Sequence, residues 1–102
     1  GLFSAVAAGL MLTAAPASAL PTTAEQIEFA EEVYDQGILN EYSFPPGLLG
    51  EELVGMCRMA IEYPQVGLTE DDIVSVFMNV PAYGFSAEEA EWFVRTGLDK
   101  CD

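Results

Sequence analysis

The sequence predicts an all-α fold, a small four-helix domain stapled by one disulfide. Three observations carry the prediction. Apolar residues recur at helical spacing in separate stretches. Polar capping residues stand in front of several of these stretches. The chain's two cysteines, Cys57 and Cys101, fall on the apolar faces of two different stretches. No stretch alternates apolar and polar residues for long enough to read as a strand.

Ahead of the first helix, Leu2 to Leu12 is almost wholly apolar, and Ala17-Ser18-Ala19 follows. This reads as a secretory signal peptide truncated at its start, with small residues marking a cleavage site after Ala19. The expected organisation is therefore a signal peptide over 1–19 and a single helical domain over 20–102. An uncut membrane anchor is the alternative, although a spanning helix needs about 20 apolar residues.

The first helix is expected over 22–36. Thr22 or Thr23 caps it, with Glu25 or Gln26 completing a capping box. Ile27, Ala30, Val33 and Tyr34 share a face, with Phe29 beside Val33, and Gly37 ends the helix. The opposite face carries Glu25, Glu28, Glu31, Glu32 and Asp35. Like charges at this spacing weaken a helix, so it depends on packing or on a cation. Ile38 to Pro46 reads as irregular, with Ile38, Leu39, Tyr42 and Phe44 lying on the domain.

The second helix is expected over 47–61. Leu49, Leu53, Met56, Cys57 and Ala60 form its apolar face. Glu51 and Glu52 in its first turns and Arg58 near its end suit the helix dipole. Gly50 and Gly55 each cost about 1 kcal/mol relative to alanine, which close approach of a neighbouring helix would explain. The third helix, over 69–79, starts with Thr69 as cap and Asp72 in the box, Leu68 stapling onto Ile73. Ile73, Val76, Phe77 and Val80 are its buried face. The fourth, over 86–99, has Ser86 and Glu89 as its box, and Ala90, Phe93, Val94, Gly97, Leu98 and Cys101 as its stripe. Arg95 and Lys100 sit toward its end, where the dipole favours cations.

Both cysteines thus face one core, and a bond between them would need the last helix to pack directly on the second. They lie 44 positions apart, with neither redox-motif nor zinc spacing. Two free thiols are the alternative. A disulfide fits the oxidising compartment that a signal peptide implies.

The residues resemble a family of small secreted actinobacterial proteins, mainly mycobacterial, grouped as a domain of unknown function. The likeness rests on the signal peptide and on Phe29-Ala30-Glu31-Glu32-Val33-Tyr34-Asp35-Gln36-Gly37-Ile38. It rests also on the lone cysteine in Met56-Cys57, and on Gly67-Leu68-Thr69 or Gly84-Phe85-Ser86 opening a helix that ends in Cys101. This chain is more acidic than the family and lacks its helices rich in small residues. The resemblance implies the fold and secretion, and no mechanism.

Charge and composition narrow the function. Seventeen acidic residues against three basic ones give a net charge of −14. That opposes binding to nucleic acid and to anionic membrane surfaces, and it favours basic partners or cations. The absence of histidine removes Ser-His and Cys-His nucleophilic sites and histidine metal ligands. The pairs Glu51-Glu52, Asp71-Asp72 and Glu88-Glu89 point about 100° apart on their helices and serve helix starts rather than acid/base chemistry. Glu70-Asp71-Asp72 lacks the spaced oxygen ligands of a calcium loop. No catalytic residue, metal site or cofactor is expected. Tyr42, Phe44, Tyr63, Tyr83 and Phe85 lie in or beside connections. They either plug the ends of the bundle or line a surface for an apolar ligand or a partner. The reading is an exported, non-enzymatic protein, secreted or held at the cell envelope, that binds a partner protein or a small apolar ligand. A small secreted enzyme using a carboxylate pair is the reading from another class.

Overall fold

The computed structural model describes residues 20–62 and 69–101. Residues 1–19, expected above to be a signal peptide, and Tyr63, Pro64 and Leu68 lie outside the described residues. Within them the chain forms four helices in order: α1 (Thr23–Gln36), α2 (Pro46–Glu62), α3 (Glu70–Met78) and α4 (Ala87–Leu98). The fold is a small all-α domain, and no strand occurs among the described residues. No helix there is long and apolar enough to cross a membrane.

Three of the four helix starts are written in side chains. Thr22, Thr69 and Ser86 are N-caps, each completing a reciprocal box with Glu25, Asp72 and Glu89. Each box satisfies two backbone donors that a helix start leaves without partners. α2 starts differently. Pro46 occupies its first position, where the missing N–H is no loss and the ring's φ is already helical. The Pro45 carbonyl accepts from the N–H groups of Leu48 and Leu49, at 3.0 and 3.2 Å. The proline pair therefore opens the helix rather than preceding it in irregular chain. Glu51 and Glu52 fall in the second turn of this helix rather than the first, and because the helix runs on to Glu62, Arg58 lies before its last turn, so neither end has the dipole-matching charge in its terminal turn.

One core joins the helices. Phe29, Val33, Leu49, Leu53, Met56, Cys57, Phe93 and Val94 are completely buried, with Ile73 almost so. α1 packs mainly on α2 and α3 mainly on α4, and α2 against α4 joins the two pairs. Phe93 stands at the centre, with ring centroids 5.2 Å from Phe29 of α1 and 5.3 Å from Phe77 of α3. Leu98 and Cys101 are partly buried against this core.

Two apolar residues do not bury as the spacing suggests. Ile27 is exposed. Phe29, Ala30 and Val33 centre the stripe of α1, and Ile27 falls about 110° from that centre at 3.6 residues per turn. Gln26 falls on it instead, and its side chain lies against Gly50 of α2 and donates to the Pro21 carbonyl at 3.3 Å. Val76 is exposed too, because Val74 takes the flank of α3 that packs on the core.

Cys57 of α2 and Cys101, beyond α4, are joined, their Cα atoms 5.5 Å apart. Near the bond the helices approach closely. A Cβ on Gly97 would collide with Met56 Sδ and lie 3.2 Å from Leu53 Cδ1, both atoms belonging to fully buried side chains. Gly50 is likewise tight, its virtual Cβ 3.3 Å from Gln26 Cβ. Gly55 has nothing within 4 Å, so the close approach expected there does not occur.

Gly97 and Gly55 should respond in opposite directions. Gly97→Leu is expected to lose about 1–3 kcal/mol through overpacking. Gly55→Ala is expected to gain about 0.5–1 kcal/mol through helix propensity and a less flexible unfolded chain. Urea unfolding of both variants checks the pair.

Candidate functional site

The connections carry the aromatics, and they use them in two ways. In the α3–α4 connection Gly84 adopts a left-handed φ of 60°, a conformation glycine takes without steric cost. The turn brings Tyr83 and Phe85 side by side, their rings stacked at 5.0 Å. Both rings also contact Phe93, at 5.8 and 5.0 Å. From the α1–α2 connection Phe44 closes on Tyr83 at 5.2 Å. Phe44, Tyr83 and Phe85 are thus brought together as an end plug over the core. The Tyr83 hydroxyl donates to a Glu52 carboxylate oxygen at 2.5 Å, which accounts for an acid at this position of α2.

Tyr42 is not part of the plug; it is 99% exposed, so it does not lie on the domain as its apolar character suggests. Local geometry sends it outward. Gly37 caps α1 with φ 81°, its N–H returning to the Tyr34 carbonyl. Leu39 then buries and Ile38 packs partly on the core. Asn40 makes the next turn: its side-chain oxygen accepts from the Ser43 N–H at 2.9 Å, and its carbonyl from the Phe44 N–H at 2.9 Å. Glu41 and Tyr42 form the crest of that turn. Behind it, the Tyr34 hydroxyl donates to the Phe44 carbonyl at 2.6 Å and ties the end of the loop to α1.

Between the end of α1 and this turn lies an open hollow of about 460 Å³, lined by Tyr34, Gly37, Ile38, Leu39, Asn40, Glu41 and Tyr42. Its electrostatics are negative. The last turn of α1 carries no basic residue, leaving the negative end of the helix dipole uncompensated by side chains. Burial, and then the Glu41 charge, raise the Tyr34 hydroxyl above its ordinary pKa. Of the aromatics singled out by sequence, only Tyr42 lines this hollow among the described residues; Tyr34 and Glu41 were missed. The signal that could have found them is the spacing of Gly37, Asn40 and Ser43, a helix stop followed by a side-chain-stabilised turn.

Several of the carboxylates have structural partners. Asp72 accepts from the Thr69 N–H at 2.8 Å and Glu89 from the Ser86 N–H at 2.9 Å. Glu70 pairs with Arg95 at 2.8 Å, joining α3 to α4 across an exposed surface. Among the described residues no group of three or more acidic or cysteine side chains is arranged to hold a metal. Lys100 does not serve the end of α4. Its side chain is largely buried, and its ammonium sits 3.1 Å from Glu28 and 3.2 Å from Glu32, so it supplies the cation that the acidic face of α1 calls for. Burial lowers its pKa, and the bonds to the two carboxylates more than offset this, so that the net shift is upward.

No family model, no curated protein and no solved structure matches the chain.

Tyr83 makes a testable contribution. Burial, then the hydrogen bond to Glu52 and its charge, raise the hydroxyl well above the ordinary tyrosine range. A raised folded-state pKa stabilises the fold below the unfolded value of about 10, and that contribution is lost as pH climbs past it. Tyr83→Phe is expected to cost about 1 kcal/mol at neutral pH, and the gap to the parent protein should narrow in alkali. Denaturant unfolding across that range, with tyrosinate absorbance followed in parallel, checks both points.

Proposed function

We propose that this chain is an exported, non-enzymatic binding protein that acts at the cell envelope or outside, and that its target is a protein. The observation that carries this reading is Tyr42, 99% exposed at the rim of a hollow. Tyrosine, a rigid and amphipathic aromatic, is among the residue types enriched at the energetic centres of protein interfaces. The likeness to small secreted actinobacterial proteins belongs to the same reading, as does the disulfide, which suits an oxidising compartment.

A protein target is favoured over a small apolar ligand by the packing of Phe44, Tyr83 and Phe85. Their rings close on one another and on Phe93 at 5.0–5.8 Å, which supports the end-plug role rather than an apolar cleft. An enzymatic role is disfavoured by the occupation of Glu52, Glu70, Asp72 and Glu89 in structural hydrogen bonds and ion pairs.

Protein recovered from the culture medium should begin Leu-Pro-Thr-Thr. Immobilised and exposed to a host envelope extract, it should retain a protein that Tyr42→Ala retains at least tenfold less well, the scale of an interface hot spot. Equal retention by both forms, retention by neither, or a small apolar molecule co-purifying in native mass spectrometry would contradict the proposal.

A further inference from the structure

Three features of the hollow converge on one chemistry. Tyr34, Glu41 and Tyr42 are among the residues that line it, Tyr42 stands exposed at its rim, and the Glu41 charge acts on the Tyr34 hydroxyl. The end of α1, without a basic side chain in its last turn, supplies a negative dipole terminus. An aromatic face and a carboxylate attract the same kind of group, a cation. The domain's net charge of −14 raises the local concentration of cationic partners before contact is made.

We propose that this hollow receives a single arginine side chain presented by the protein partner, its guanidinium stacking on Tyr42 and facing the Glu41 carboxylate. This rests on the reading that Tyr42 marks a protein-docking surface. A planar guanidinium suits the site better than a lysine ammonium. It stacks flat on an aromatic ring while its edge donates to a carboxylate, and it loses less hydration on leaving water. The open side of the hollow fits a side chain delivered from a second surface. The Asn40 turn and the Tyr34–Phe44 hydrogen bond hold the site's backbone in place before binding, which lowers the cost of ordering a loop on association. Glu41 and Tyr34 already sense one another, since the Glu41 charge contributes to the raised Tyr34 pKa. A guanidinium bound between them would neutralise that field.

The probe is a blocked peptide of alternating glycine and arginine, titrated into the isotopically labelled, disulfide-bonded protein and followed by amide NMR shifts. The control peptide carries citrulline, neutral and nearly isosteric, in place of arginine. The arginine peptide is expected to shift the amides of Gly37 to Ser43 saturably, and the citrulline peptide to leave them in place. Glu41→Gln and Tyr42→Ala should each weaken that response about twofold to fivefold, the range for an exposed cation–π or ion-pair contact. Both substitutions are at exposed positions, so unchanged shifts elsewhere will show an intact fold. Shifts spread evenly over the acidic face of α1 and indifferent to both substitutions would overturn the inference, as would equal binding of the citrulline peptide. If the loop ignores the arginine peptide while a Tyr42-dependent partner is still retained from the extract, the arginine inference fails and the binding reading stands.

Discussion

The bond between Cys57 and Cys101 is the constraint on which the other contacts depend. It ties the chain beyond α4 to the middle of α2 across 44 positions. A loop of that length, closed in the unfolded chain, is worth about 4 kcal/mol in the chain-entropy model. For a domain of this size that is comparable to what its apolar core supplies. The bond also fixes which helices meet. With α4 held on α2, Gly97 comes against Met56 and Leu53, and Phe93 reaches the centre of the core. The adjacent residue extends the clamp: Lys100 reaches Glu28 and Glu32 on α1. Two consecutive residues therefore fasten α1 and α2 to the end of α4, one by a covalent bond and one by charge.

The connections inherit their geometry from that arrangement. Tyr83 and Phe85 can cap the core because Phe93 is there to receive them, and Phe44 follows by packing on Tyr83. Once Phe44 is seated, its carbonyl accepts the Tyr34 hydroxyl, and the chain between α1 and Phe44 has to fold back in a tight turn. The exposed crest at Glu41 and Tyr42 is the outcome. Placement of the hollow is in this sense a late consequence of core packing: the plug pulls one end of the loop inward, Gly37 fixes the other, and the residues between are pushed out.

Much of the fold was legible because its signals are local. Thr22, Thr69 and Ser86, each with an acid three residues on, mark helix starts by a mechanism confined to a single turn. The stripe of Leu49, Leu53, Met56 and Cys57 is likewise a property of one helix. The cysteine pairing followed from two such stripes facing one core. What was not legible depends on partners distant in sequence. Ile27 and Gln26 compete for the same face of α1, and Gly50 on α2 decides in favour of the polar residue. Val76 and Val74 flank Ile73 and Phe77 almost equally, and the packing of the core selects Val74. Lys100 looked like an end-of-helix charge because its partners on α1 lie far upstream. The start of α2 was obscured by two prolines, one of which is at home in a first turn. Of the candidate site, Tyr42 was singled out by its position in a connection. Tyr34 and Glu41 join it only through the fold of the loop.

The most direct test of the covalent clamp is urea unfolding of the protein with the bond intact and after reduction with the thiols blocked. The expected result is that the intact protein is more stable by about 4 kcal/mol, and that the reduced form is largely unfolded near body temperature. Two curves that agree within about 1 kcal/mol would mean that the core holds α4 on α2 unaided, and would contradict this role of the bond.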